Sequence, residues 1–399
     1  MTRRHVVAVV LGLLVFSIGL AVVAPRSSPT DQAAAADDPT PGPATGSASS
    51  RPPSPVPVPQ HEVYGFVPYW EMDAGIADHL AATDLSTIGL FSVTHNRNGS
   101  LATGKNGYRR ITGPTGLRIL ADARERGVRT ELVYTSFGER KNGRFFTEPE
   151  AQARAISELV ALATDLGVNG INVDVELLAP LHIQAYGEFV GRLREALRVA
   201  NPDAQVSVAT TANHRGAAMA AAAAQAGADR IFLMGYDYKV AGSDPGASSP
   251  LGRRDGSEKT LHWSLDLYRD AGVPPERTIL GLPLYGLVWP VEGPEIGAAA
   301  TGRGDVWVPR RNLETLAMPD VSASYDPIED VAVLAVPNGD RWQAVYYDTP
   351  ASLTPKLALA DRRGLAGAGF WAVGYERGLP DYTALIQTFR AGQLVDAAP

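Results

Sequence analysis

Gly170-Ile171-Asn172-Val173-Asp174-Val175-Glu176 alternates three polar side chains with Ile and Val. A strand shows residues i, i+2 and i+4 on one face, so Asn172, Asp174 and Glu176 line up while the aliphatic residues turn the other way. Same-face neighbours then stand roughly 6.6 Å apart at about 3.3 Å rise per residue, close enough for one carboxylate to move the other's pKa. A half-wet edge strand is the plainer alternative. Against it stand the wholly β-branched opposite face and the apolar flanks Leu166-Gly167-Val168 and Leu177-Leu178, which fit a buried strand whose polar groups face a crevice. Burying carboxylates is costly, and paired acids suit acid-catalysed bond cleavage.

The 399 residues allow several domains or one large barrel. A formal net charge of −7 and the lack of any basic run in the body of the chain argue against a nucleic-acid partner. Cysteine is absent, which removes disulfides and thiol chemistry. At the N-terminus Arg3 and Arg4 precede an apolar run from Val6 to Ala24, the order of a secretory signal and long enough to span a bilayer. Residues 1–24 are therefore expected to be a removed signal peptide or a retained membrane anchor, and both place the rest outside the cytoplasm. Residues 25–60, rich in Pro, Ser and Ala, read as a disordered tether.

Beyond residue 60, short apolar strands alternate with helical stretches. Candidate strands are 63–67, 87–93, 130–135, 170–176, 205–210, 230–236, 278–283 and 367–373, with helices at 116–125, 148–166, 183–199, 217–226, 259–271 and 352–363. Gly127, Gly167, Gly227, Gly272 and Gly364 follow five of those helices as expected C-terminal caps. Eight strand–helix units point to an α/β fold, a closed (β/α)8 TIM barrel. No Gly-x-Gly-x-x-Gly follows the first strand, which weakens a dinucleotide-binding alternative. Functional groups of such barrels sit at the C-terminal ends of strands, where Asp174 and Glu176 lie on the fourth.

These residues carry a family resemblance. Asn169 to Glu176 resembles the Asp-x-x-Asp-x-Asp-x-Glu pattern of glycoside hydrolase family 18, the chitinase-like barrels. Val63-Tyr64-Gly65-Phe66-Val67-Pro68-Tyr69-Trp70 resembles the family's first strand, Met234-Gly235-Tyr236-Asp237 the sixth, Gly281 to Gly286 the seventh and Gly369-Phe370-Trp371-Ala372 the eighth. The likeness covers about residues 61–390, leaving 391–399 as a tail. It implies a small α+β insertion between strands 7 and 8, at about 289–347. An Asn at position 172 is similar to the branch of the family associated with spore-cortex peptidoglycan.

The chemistry implied is substrate-assisted retention, an exception to the two-carboxylate scheme. Glu176 would protonate the glycosidic oxygen while the substrate's 2-acetamido carbonyl attacks the anomeric carbon. Asp174 would hold the acetamido N–H, Tyr236 and Asp237 would fix its pose, and Trp371 would floor the reacting sugar. Asn172 and Met234 complete the expected substrate-binding set. No cofactor or metal is called for: the seven His residues show no metal-ligand spacing, and no Gly-x-Ser-x-Gly elbow occurs. The partner expected is a polysaccharide containing N-acetylglucosamine (peptidoglycan, chitin oligomers or an N-glycan core), bound by a monomer.

Plainer roles stand beside these. Tyr236 and Asp237 could be a strand-end Tyr and a loop-capping Asp, Trp371 and Tyr285 core aromatics, Tyr69 and Trp70 packing beneath a loop, and His214 a solvated loop residue. Two positions depart from the family pattern, which has Asp where this chain has Asn169 and Asn172. A neutral amide at 172 cannot share charge with Asp174, so reduced or specialised activity is expected. The alternative class is a non-catalytic chitinase-like lectin, favoured by Asn172 and opposed by Glu176, which a pure lectin does not need.

Overall fold

The computed structural model describes residues 61–394. The leader or anchor expected at 1–24, the tether at 25–60 and the tail's residues 395–399 lie outside the described residues. Thirteen strands follow in chain order among them: β1 (Glu62–Pro68), β2 (Thr87–Thr94), β3 (Arg129–Phe137), β4 (Gly170–Glu176), β5 (Gln205–Thr211), β6 (Arg230–Met234), β7 (Thr278–Pro283), β8 (Gly286–Val291), β9 (Asp305–Trp307), β10 (Ala323–Asp326), β11 (Val331–Asn338), β12 (Arg341–Tyr347) and β13 (Gly367–Trp371). The first seven and β13 pair in parallel into a closed barrel, β1 joining β13 on one side and β2 on the other. This is the (β/α)8 architecture expected, with all eight expected barrel strands in place.

Parallel strands covered on both faces bury nearly every side chain. On β4, Ile171, Val173 and Val175 are buried in the large cluster that also takes Leu159 and Leu162 of helix Pro149–Leu166 and Phe189, Val190 and Leu193 of helix Ile183–Ala200. A second cluster fills the lumen: Tyr64, Phe66, Phe91, Val133, Ala209, Phe232 and Ile279. Phe232 fits because β7 and β13 present glycine to it. A Cβ on Gly281 would meet its ring at 2.3 Å and one on Gly369 at 2.5 Å. Gly127, Gly167, Gly227, Gly272 and Gly364 all hold the positive φ that ends a helix without Cβ strain.

Between β7 and β13 the chain leaves the barrel and forms a five-stranded sheet in the order β10-β11-β12-β8-β9, every neighbouring pair antiparallel. This sheet occupies the place of the expected insertion and starts slightly earlier, at Gly286. Strand β6 stops at Met234, short of Tyr236, because the Gly235 N–H turns to the carbonyls of Leu233 and Gly281. Helix His214–Gln225 starts three residues before its expected first turn, since the Asn213 side chain accepts from the Gly216 N–H at 3.0 Å and caps it.

Candidate active site

The polar face of β4 turns into the lumen. Asn172 is wholly buried and Asp174 is 4% exposed. Asp174 stands opposite Thr135 of β3 and Ala209 of β5, and the small Ala leaves room beside it. Glu176, half-buried, ends the strand at the mouth. Its carbonyl accepts from Asn142 Nδ2 at 2.5 Å and from the Gly138 N–H at 3.2 Å, and Ser136 Oγ donates to Asn142 Oδ1 at 2.6 Å. The next residue, Leu177, holds a left-handed φ of 58°. Only one other non-glycine at the barrel mouth among the described residues does so beside a titratable pair: Asp237 itself, at 63°. Left-handed backbone costs a non-glycine residue free energy and is held only where the surroundings over-determine it.

Electrostatics set the two acids apart from surface carboxylates. Burial, then the nearby Glu176 charge, raises the Asp174 carboxyl well above its usual range. Burial, then the Asp237 charge, pushes Glu176 up to about 7. Charged forms lose hydration in the lumen and like charges oppose each other, so the pair keeps a proton at neutral pH. That is the protonation a general acid needs near the pH at which it works.

Tyr236 and Asp237 follow β6, which β5 alone separates from β4 in the barrel. The Tyr236 hydroxyl is kept neutral by burial and by the charges of Asp174, Asp237 and Glu176, which brings all four groups into one field. Tyr285 is buried as a core residue would be, yet its polar end belongs here. Its hydroxyl donates to Asp237 Oδ1 and accepts from Ser248 Oγ at 3.2 Å, and its ring meets that of Tyr236 edge-on at 6.2 Å. Ser248 Oγ also accepts from the Asp237 N–H at 3.0 Å. Met234 packs half-buried against the lumen cluster. Trp371 closes β13 half-buried, its ring 4.7 Å from Phe91, 5.7 Å from Phe66 and 6.3 Å from Trp70. Trp70 in turn donates from Nε1 to the Tyr375 hydroxyl at 3.0 Å.

Other sequence candidates sit apart from this cluster. Asn169 is structural: its Oδ1 accepts from the Thr130 N–H at 2.8 Å and pins the start of β3 to the start of β4. His214 is exposed, edge-on to Trp263 at 5.5 Å. Among the described residues no group of three or more His, Cys, Asp or Glu could hold a metal ion. One acid escaped the sequence reading altogether. Glu131 of β3 is 1% exposed in the lumen, where it accepts from Tyr64 and Ser207, and Ser207 accepts from Asn172 Nδ2 at 2.7 Å. The available signal was a Glu in register with Val133 and Thr135 on the face of a barrel strand that has no water to meet.

A parallel eight-stranded barrel with an acid pair at the C-terminal end of its fourth strand defines a (β/α)8 glycosidase. A family model, "Glycosyl hydrolases family 18", matches residues 62–376, and the chain belongs to that family of glycoside hydrolases. The cortical fragment-lytic enzyme of Bacillus subtilis (strain 168) is 24% identical over 302 residues, covering 74% of this chain and 66% of the relative. The chain spans about two thirds of the length of the curated relatives that it matches most extensively. In fold it is similar to the spore cortex-lytic enzyme SleL of Bacillus cereus (TM-score 0.67, 18% identity, 84% of this chain and 74% of that one). It is also similar in fold to a class V chitinase from Nicotiana tobaccum (TM-score 0.70, 18% identity, 83% of this chain and 99% of that one).

Proposed function

We propose that the chain is an exported hydrolase that cleaves β-linked N-acetylglucosamine glycans by substrate-assisted retention, and that its preferred polymer carries carboxylates, as peptidoglycan does. The observation that carries this reading is the Asp174–Glu176 pair, with Glu176 titrating at about 7 at the barrel mouth. Glu176 gives its proton to the glycosidic oxygen as the C–O bond breaks. The substrate's acetamido oxygen attacks the anomeric carbon from the other face and forms an oxazolinium ion. Asp174 receives the acetamido N–H and offsets the positive charge on that ring. Tyr236 and Asp237, fixed by Tyr285 and Ser248, hold the acetamido group in the attacking pose. Water activated by Glu176 then opens the ring with retention. A lectin reading has little support, since pure binding gives no reason to keep Glu176 protonated at neutral pH.

Lys141 supports the anionic polymer. It lies on helix Glu139–Phe145, beside the Asn142 that grips the Glu176 carbonyl, and its Nζ donates to Thr94 Oγ1 at 2.6 Å over the ends of β2 and β3. No carboxylate pairs with it among the described residues, and burial, then the Lys105 charge, brings its ammonium down to about 8. A half-buried cation without a counter-ion beside the groove suits a carboxylate on the ligand. Export is supported by Arg3, Arg4 and the apolar run to Ala24.

Mass spectrometry of digests tests the reading. Purified protein should release disaccharide products from peptidoglycan faster than from chitin oligomers. Lys141→Ala should raise KM about two- to fivefold on the muramyl glycan alone, the size of one solvent-screened charge contact. Turnover of neither polymer by the wild type would refute the activity, and equal use of both, unmoved by Lys141→Ala, would refute the anionic preference.

A further inference from the structure

Glu131 adds a third carboxyl to the lumen, and the hydrogen bonds around it run in one direction. Its Oε2 receives two donors, the Tyr64 hydroxyl at 2.8 Å and Ser207 Oγ. Ser207 has a single proton, and it points to Glu131. What Ser207 offers Asn172 is a lone pair, so Asn172 must turn its N–H to it, as the 2.7 Å contact from Nδ2 shows. An amide that turns its NH2 one way turns its carbonyl oxygen the other. Asn172 Oδ1 is buried and has no hydrogen-bond partner among the described residues, and the same is true of Asp174 Oδ1, the next group on that face. Two bare acceptors cannot satisfy one another, and a buried acceptor without a donor is unfavourable. One proton on Asp174 would turn two orphan acceptors into a donor and an acceptor.

Resting on the hydrolytic reading above, we propose that Glu131 is a positioning residue of the reaction: through Ser207 it forces Asn172 to present a carbonyl oxygen, not an N–H, to Asp174, and so keeps a proton on Asp174 in the free enzyme. That proton passes to Glu176 when substrate binds, leaving Glu176 with the proton it donates and Asp174 ionised to receive the acetamido N–H. In this chain an acceptor on β3 does what a charge at position 172 would do on β4. The charges that reach Glu131 are Arg129 on its own strand and Asp229 and Arg230 where β6 begins; Glu176 reaches Asp174. All four stay unchanged in the variants below.

Glu131→Met removes the acceptor at nearly constant volume. Ser207 is then free to donate to Asn172, the amide reverses, and an N–H faces Asp174. The expected result is a loss of about tenfold in kcat, the size of one misdirected hydrogen bond, with KM within about twofold. The limb of the kcat/KM–pH profile that belongs to Asp174 should move to lower pH, because an N–H favours its ionised form and kcat/KM reports the free enzyme. Glu131→Gln retains a carbonyl acceptor and should stay within about threefold of wild type. Asn172→Asp alone should lose activity, since its carboxylate meets only the lone pairs of Ser207. The double variant Glu131→Met/Asn172→Asp should recover, because Ser207 can then donate to Asp at 172. If Glu131→Met fails to fold by circular dichroism, Ser207→Ala breaks the same link without touching a charge and should show the same kcat loss and pH shift.

Wild-type kcat and an unmoved pH profile in Glu131→Met, or in Ser207→Ala, would overturn the proposal. So would a double variant no better than the product of its single changes, or a Glu131→Gln as damaged as Glu131→Met. Absence of turnover in the wild type would instead refute the hydrolytic reading itself.

Discussion

Acids are buried in two regions of this molecule, and their company differs. Where the insertion meets the barrel mouth, each has a cation. Glu71 takes Arg310 at 2.5 Å and Arg311 at 3.0 Å, Asp326 takes Arg254 at 2.5 Å, and beside them Arg377 with Arg310 holds the exposed Asp73 carboxyl well below its usual range. In the lumen, Glu131, Asp174, Glu176 and Asp237 have no such partner among the described residues, and every one titrates above its usual range, with burial as the largest cause. A paired acid is fixed in one charge state and ties segments together. An unpaired one stays poised between two states, which chemistry requires and folding opposes.

The sharpest way to break this contrast is Glu176→Gln, which keeps shape and removes the proton donor. Turnover on a reporter whose leaving group needs protonation should fall by about 10³-fold or more, with sugar affinity retained. A variant that still cleaves at a tenth of the wild-type rate would place the acid elsewhere. The converse change belongs to the paired class. Lys356 is fully buried and reaches Asp348, itself held by Ser352 at 2.7 Å. Lys356→Met leaves that carboxyl without its cation and should cost about 3–5 kcal/mol of stability in denaturant melts, with kcat unchanged at temperatures where the variant is folded.

The two regions also pull stability in opposite directions with pH. Glu176 titrates higher folded than unfolded, so its contribution is complete below about 4.5 and is lost as pH rises through about 7. Asp73 titrates lower folded than unfolded, so its contribution is present above its unfolded pKa and is lost on acidification. Glu176→Gln should therefore be more stable than wild type at pH 8, by on the order of 1–2 kcal/mol after allowing for solvent at the mouth, and equal to it near pH 4. Equal melting curves at both pH values would mean that Glu176 is not held above its ordinary range.

How much of this was legible follows from the range of each signal. The barrel was, because alternation and helix-closing glycines are local patterns repeated along the chain. The β4 acids were too, since period two alone puts Asp174 and Glu176 on one face. Glu131 was legible only in part: its register with Val133 and Thr135 marks a lumen-facing position, but its meaning comes from Tyr64 and Ser207, which are 67 and 76 residues away. The pairing of Glu71 with Arg310 spans 239 residues and is equally silent in sequence. Lys141 gave no signal because what marks it is a missing partner.

Tyr285 tests the finest version of the contrast, since it is a core residue by burial and a site residue by its hydroxyl. If the hydroxyl only fills space, Tyr285→Phe is neutral in activity and costs little stability. If it fixes the Asp237 carboxylate, as its donation to Oδ1 with Ser248 behind it suggests, removing it lets Asp237 turn and loosens the acetamido pose. The expected loss is about ten- to a hundredfold in kcat, one neutral-donor hydrogen bond to a charged group, with the melting temperature within a few degrees of wild type. Losing that donor also raises the Asp237 carboxyl, since the hydrogen bond from Tyr285 is what lowers it against burial. Asp237 then stays neutral to higher pH and repels the Glu176 charge less, so the basic limb of the activity profile should move down in pH with the loss of kcat. Wild-type kcat with an unmoved basic limb would make Tyr285 a packing residue after all.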